Sequence, residues 1–196
     1  MRGGEAASSQ NFATVLAAAQ EGAAWASTAI WVEYSRAVSA FLAARGSTEP
    51  EDLTSEVFLA VFDTLPAFRG GESEFRSFIF SIAYRRLVDE LRKRSRRGVH
   101  DTWDESRDPR RSPSAESVAL DRLGNSAALS LLDGLAEDQR NVMVLRVVAD
   151  LTVEQIAVIL EKRPGAVKAL QRRALEALRR KVSATRTLLV PPDDSE

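Results

Sequence analysis

The stretch Leu151–Lys181, LTVEQIAVILEKRPGAVKALQRRALEALRRK, constrains the fold of this chain most tightly. It reads as two short helices joined by a tight turn. Thr152 and Gln155 have the spacing of a capping box, in which a hydroxyl and an amide satisfy the unpaired N–H groups of a helix start. Ile156, Ala157, Ile159 and Leu160 supply an apolar face, and Glu161–Lys162–Arg163 interrupt it before Pro164 opens a second helix. Proline suits that first position, because its missing N–H would have had no partner there. Along the second helix Val167, Leu170, Ala174 and Leu178 share one face, while Lys168, Ala169, Arg172, Arg173, Glu176 and Arg179 fall opposite. A helix packed on one side and basic on the other, tied to a short partner, is the pattern of a DNA-reading helix-turn-helix. A solvated helical hairpin shares the basic face, so the kind of protein has to come from the rest of the chain.

Composition narrows the classes. A chain of 196 residues with 44% hydrophobic content can build one or two packed cores. No apolar run reaches the roughly 20 residues that cross a bilayer, and the N-terminus lacks a signal-peptide core. The chain has no Cys and one His, which excludes disulfides and thiol catalysis and argues against metal sites. The expectation is a cytoplasmic protein without catalytic residues, metal ligands or cofactors. The net charge of −1 hides local asymmetry. Arg85, Arg86, Arg92, Lys93, Arg94, Arg96 and Arg97 crowd one segment, and Lys162–Lys181 is likewise basic. Between Glu49 and Asp63 there are five acids and no base. Local patches of one sign decide where a phosphate backbone docks. Two basic patches and one acidic surface predict DNA contact at two places and a different partner at a third.

The remaining sequence is helical. Residues 1–11 are expected to be a mobile N-terminus. Phe12, Val15, Leu16 and Ala19 carry a helical pattern that Gly22 interrupts, and Ile30, Tyr34, Val38, Phe41 and Leu42 form the next stripe, ending at Gly46. Trp25 and Trp31 are expected in the core. Thr48-Glu-Pro-Glu51 has capping-box spacing, and the helix after it buries Leu53, Val57, Ala60, Val61 and Leu65. Its other face carries Asp52, Ser55, Glu56 and Asp63 around Leu59 and Phe62, apolar residues among acids that suggest a protein-binding surface. A loop with paired glycines, Phe68–Ser73, leads into a long helix to about Arg97, with Phe75 and Phe78 expected to be buried. Residues 98–117 have the composition of a linker, helical pattern returns over 118–182, and 183–196 is a tail. The predicted fold is therefore all-α: two small helical domains, 12–97 and 118–182, joined by a flexible linker, the second containing the helix-turn-helix.

The order of parts resembles a known family. Pro50-Glu-Asp-Leu-Thr-Ser-Glu-Val-Phe58, Leu65-Pro-Ala-Phe-Arg-Gly70, Phe75-Arg-Ser-Phe-Ile-Phe-Ser-Ile-Ala83 and Leu87-Val-Asp-Glu-Leu-Arg92 are similar to the first domain of bacterial extracytoplasmic-function (ECF) sigma factors. Leu135-Ala-Glu-Asp-Gln-Arg140, Val144-Leu-Arg146, Leu151-Thr-Val-Glu-Gln-Ile-Ala157 and Gly165-Ala-Val-Lys168 resemble their second. The resemblance implies a non-catalytic subunit that binds core RNA polymerase, directs it to promoter DNA and is restrained by an anti-sigma factor. It implies minus-ten contacts at Phe68, Arg69, Gly70, Arg76, Arg85, Arg86 and Asp89, with a flipped base held by the Phe68–Ser73 loop. Minus-thirty-five contacts fall on Arg163, Lys168, Ala169, Arg172 and Arg173, and polymerase contacts on Asp52, Glu56, Leu59 and Phe62.

Three positions depart from the family pattern. The loop Phe68-Arg-Gly-Gly-Glu-Ser-Glu-Phe75 is one residue longer than the usual F-R-G-x-S-x-F. Glu161, Lys162 and Arg163 replace a Gly turn, an apolar residue and a Ser cap, and Ala136 stands where Pro is common. Two other readings fit parts of the pattern: a helix-turn-helix repressor or activator, and a helical anti-sigma or adaptor protein. The aromatic-basic segment Phe68–Arg97 behind an acidic helix argues against the repressor or activator, which would not need it; the adaptor would bind partners without DNA.

Overall fold

Glycines set the first helix boundaries. In the computed structural model of the protein, residues 3–97, 132 and 134–189 are described, with side chains for 11–96, 132 and 134–183. The expected linker and the helical pattern of Val118–Leu131 lie outside them. Helix α1 (Gly3–Gln20) ends at Gly22, whose φ of +85° allows the Ala23 and Gly22 amides to donate to the carbonyls of Ala18 and Ala19. Helix α2 (Ala24–Ala44) ends the same way at Gly46, φ +86°. Helix α1 takes in most of the N-terminal segment expected to be mobile.

Helix α3 (Pro50–Thr64) runs into a 3-10 turn, Leu65–Ala67, and α4 (Glu72–Arg97) is the long helix. Thr48 does not cap α3. With Pro50 at its first turn the cap position falls on Glu49, and the Thr48 amide and hydroxyl both donate to Glu90 Oε1 at 3.0 Å, tying the loop to α4. Burial pushes the Glu90 carboxyl up, but these hydrogen bonds and Arg94 outweigh it and hold it below its ordinary value. Trp25 is also not core: it is 58% exposed. The buried face of α2 is Ala26, Ile30, Tyr34 and Val38, a spacing of one turn that leaves Trp25 to one side. Trp31 sits at the surface with its ring edge on Phe58, at 4.8 Å.

After residue 134 come α5 (Glu137–Val147), α6 (Val153–Ile159) and α7 (Pro164–Leu189), the last extending into the expected tail. The capping box of α6 forms: the Thr152 hydroxyl accepts from the Gln155 backbone N–H at 3.2 Å and the Gln155 side-chain Oε1 accepts from the Thr152 backbone N–H at 2.9 Å. Val142, Leu145, Leu151, Ile156 and Val167 join α5, α6 and α7, and they belong to the same continuous apolar cluster as the core of α1–α4. The two halves therefore pack against each other, along α4 and α6 and between α2 and α5. Among the described residues there is no strand, and no helix is long and apolar enough to cross a membrane.

The turn of the helix-turn-helix holds its shape against a backbone cost. Glu161 has φ +53°, with Lys162 N–H donating to Ala157 O at 2.9 Å. A side chain in that region costs about 1–2 kcal/mol, of which a glycine would return part as lost chain entropy, about 0.5–1 kcal/mol. Glu161→Gly should therefore stabilise the fold by about 1 kcal/mol, read as a rise in Tm of about 2–4 °C by circular dichroism.

Candidate nucleic-acid interface

The loop between the 3-10 turn and α4 is anchored by a ring. Phe68 is half-buried, with Phe75 at 5.2 Å and Phe78 at 5.1 Å; Phe75 is fully buried and Phe78 half-buried. Tyr34 and Phe12 close on the same ring, at 5.7 and 5.4 Å from Phe75. With its side chain inward, Phe68 contributes position to the loop, while Arg69 and Gly70 are exposed. The Arg69 guanidinium folds back and donates to Pro66 O at 2.9 Å and Phe68 O at 2.6 Å. Gly70 has φ +151°, and a Cβ there would come within 2.8 Å of Glu74 Cβ and 3.1 Å of the Phe68 ring. Gly71 acts as the N-cap of α4: its carbonyl accepts from Phe75 N at 2.9 Å, and its N–H donates to the Glu74 carboxylate at 3.0 Å. Gly71 therefore starts the helix, and Glu72 and Ser73, expected in the loop, lie in its first turn.

The remaining minus-ten candidates fall on different sides of α4. Arg76 lies one turn in, its Nη2 3.4 Å from Glu72 and its Nη1 3.5 Å from Asp150 of the second half. Burial, then the Glu72 carboxylate, pushes the neighbouring Tyr34 phenol up to about 12 despite Arg76, so it stays a neutral hydroxyl. Arg85 and Asp89 line a groove of about 470 Å³ whose opposite wall is Val158–Glu161. Arg86 instead turns toward α3, 4.0 Å from Glu56. The structure thus groups Phe68, Arg69 and Gly70 at one end and separates Arg85 from Arg86 by the helix.

The second basic surface is continuous. Arg163, Lys168, Arg172 and Arg173 are exposed along the start of α7, with Ala169 half-buried between them. Val167 and Ala174 on the inner side are fully buried, which fixes the helix roll and hence which side chains face out. Lys162 Nζ pairs with Asp138 at 2.9 Å and pins the turn to α5. On α3, Asp52, Glu56 and Leu59 (66% exposed) face solvent, and Phe62 is half-buried 5.9 Å from Phe58, so acid and apolar groups share one surface.

Several polar residues at the seam between the halves escaped the sequence reading. Arg45 is 7% exposed, with Nη2 3.5 Å from Glu137. Burial pushes its guanidinium below the ordinary value, and Glu137 acts against that. Gln155 uses its second amide end to donate to Ser73 O and Oγ, both at 3.0 Å. A capping motif announces the Thr152 side of that residue; nothing in the sequence announces the Ser73 side.

Comparison with known proteins fits this geometry. Residues 30–97 match the family model for sigma-70 region 2, and residues 126–178 that for sigma-70, region 4. The chain is 36% identical over 132 residues to the ECF RNA polymerase sigma factor ShbA of Streptomyces griseus, covering 66% of this chain and 69% of that one. It is 34% identical over 167 residues to the ECF sigma factor BldN of Streptomyces coelicolor, covering 83% of this chain and 62% of BldN. The fold is shared with CnrH in complex with the cytosolic domain of CnrY (TM-score 0.62, 21% identity, 87% of this chain and 96% of that chain). It is shared too with the sigma factor RpoE in complex with the anti-sigma factor NepR from Bartonella quintana (TM-score 0.61, 20% identity, 80% and 96%). An all-helical chain with region 2 and region 4 in this order is a sigma-70-type transcription factor. It belongs to the ECF RNA polymerase sigma factors.

The contacts between the halves give a direct test. Asp150→Asn with Gln155→Glu removes the Arg76–Asp150 ion pair and the donor to Ser73, while the glutamate keeps the capping box. Small-angle scattering of the free protein should show a larger radius of gyration with unchanged far-ultraviolet circular dichroism. An unchanged radius would mean that the apolar seam and the Arg45–Glu137 pair hold the halves together without these contacts.

Proposed function

We propose that this protein is an alternative sigma factor, a cytoplasmic, non-catalytic subunit that binds core RNA polymerase and fixes where transcription starts. The observation that carries the reading is the presence in one chain of two separate basic surfaces, with an acidic-apolar face on α3 ahead of both in sequence. On this reading the exposed row Arg163, Lys168, Arg172 and Arg173 grips the minus-thirty-five element, with Ala169 against the groove floor. Arginine and lysine there donate to guanine edges or hold phosphates. The Phe68–Ser73 loop takes a minus-ten base out of the stack, and Arg76, Arg85, Arg86 and Asp89 line the path of the strand. The α3 face of Asp52, Glu56, Leu59 and Phe62 docks on the clamp of the polymerase.

Arg76 serves two partners in this scheme. The Asp150 carboxylate is 75% exposed, so its hold on Arg76 is weak enough for a phosphate to replace it. An anti-sigma protein is the expected regulator of such a factor, and RpoE, which shares the fold, is itself solved bound to one.

The test is transcription from a library of promoter fragments with core polymerase, with and without the protein, mapping the 5′ ends. Start sites that depend on the protein are expected; duplex binding with no dependent start sites would assign it to the repressors instead. Arg172→Ala should weaken minus-thirty-five recognition by about 1–3 kcal/mol and leave core binding intact. Charge reversal at Asp52 and Glu56 should do the opposite, lowering affinity for core polymerase in a binding titration.

A further inference from the structure

We propose that Gln20, the last residue of α1, is the positioning residue that sets the minus-ten loop; this rests on the reading of Phe68–Ser73 as the base-holding loop. Helix α1 lies ahead of residues 30–97, the part of the chain that matches sigma-70 region 2, so that assignment gives it no role. Yet it reaches the loop twice. From beneath, Phe12 meets Phe75, the ring on which Phe68 rests. From the side, Gln20 Nε2 donates to Leu65 O at 3.0 Å and Phe68 O at 2.9 Å.

The chemistry of those two bonds is specific. An amide nitrogen carries two hydrogens, and here each one goes to a different carbonyl. The reverse orientation would press the amide oxygen against two carbonyl oxygens, so only the donor end can face the loop. The two acceptors are the first residue of the 3-10 turn and the residue that leaves it, and the turn is closed by Phe68 N–H donating to Leu65 O at 3.0 Å. One side chain thus fixes both ends of the turn from which Arg69, Gly70 and Gly71 depart.

That departure has to be fixed from outside. Two successive glycines lose more chain freedom on ordering than any other residues, and the Phe68 ring anchors only the side chain. The Phe68 carbonyl is the last backbone group before Arg69, and Gln20 and the Arg69 guanidinium share it. The stop of α1 at Gly22 sets where the Gln20 side chain begins, so the reach depends on α1 ending where it does. Removing the donor leaves the Leu65 carbonyl held only by the Phe68 N–H within the turn and the Phe68 carbonyl only by the exposed Arg69 side chain, and the loop then samples orientations that cannot hold a base.

Full-length Gln20→Met, of equal length with no donor, and Gln20→Lys, which has donors and no acceptor, test this with core polymerase. The probe is a promoter fragment recovered by the transcript mapping, carrying 2-aminopurine at each minus-ten position in turn. Gln20→Met should slow base unstacking and open-complex formation about tenfold, equivalent to ~1.4 kcal/mol in the barrier. Core binding should stay within about twofold, Gln20→Lys should recover most of the rate, and a fragment already unpaired over the minus-ten element should show the defect least. The proposal is overturned if Gln20→Met opens the promoter like the parent, or if both variants lose Tm and core binding together, which marks a merely structural residue. Failure of the underlying reading looks different: the parent itself would open promoters with no 2-aminopurine signal at any minus-ten position.

Discussion

The ring of Phe75 is the interaction on which the first half depends. It is fully buried, and Phe12 of α1, Tyr34 of α2, Phe68 of the loop and Phe78 of α4 all lie within 6.0 Å of it. Three other segments are thereby referred to one point at the start of α4. Aromatic pairs at such distances add about 0.5–1.5 kcal/mol each beyond area burial. The more important effect is geometric: a loop with two glycines acquires a defined position because its flanking residue is a wedge in a close-packed core. Replacing a core ring of this kind would leave the loop's residues intact and their arrangement undefined.

A second dependence runs between the halves. Helix α4 offers one side to α3 and another to α6, and its polar residues are divided accordingly, Arg86 toward Glu56 and Arg85 toward the groove under Val158–Glu161. The charged contacts across the seam involve acids that remain mostly in solvent, Glu137 at 78% and Asp150 at 75% side-chain exposure. The Arg76–Asp150 pair, open to solvent on the acid side, is worth at most about 1 kcal/mol and is screened by salt, whereas Arg45 is itself buried. The seam thus joins apolar packing to a few charged and hydrogen-bonded contacts, an arrangement that is cohesive without being locked.

Much of this was legible from the residues. The helical stripes of α2, α3 and α7 were readable because period-3.6 patterning records which face meets the core, and the Thr152–Gln155 cap because its two partners are three residues apart. The misreadings and the residue that was missed have a common cause. Thr48 has capping-box spacing and spends its hydrogen bonds on Glu90, 42 residues away. Trp25 is apolar and sits one position off the buried stripe. Arg45, charged and at a helix end, is buried because α5 closes over it.

What the sequence by itself determined is the all-helical class, the two basic surfaces, the acidic face of α3 and the family these define together. All of these depend on neighbours in the chain, whose spacing is written in the residues. Only the tertiary structure decided that Phe68 is an anchor, that Gly71 starts α4, that Gln155 bridges to Ser73 and that Gln20 holds the carbonyls of Leu65 and Phe68. Each of these is a donor or ring meeting a partner that packing brings close. A glutamine at the end of a helix looks the same in sequence whether its amide meets water or a loop 45 residues on.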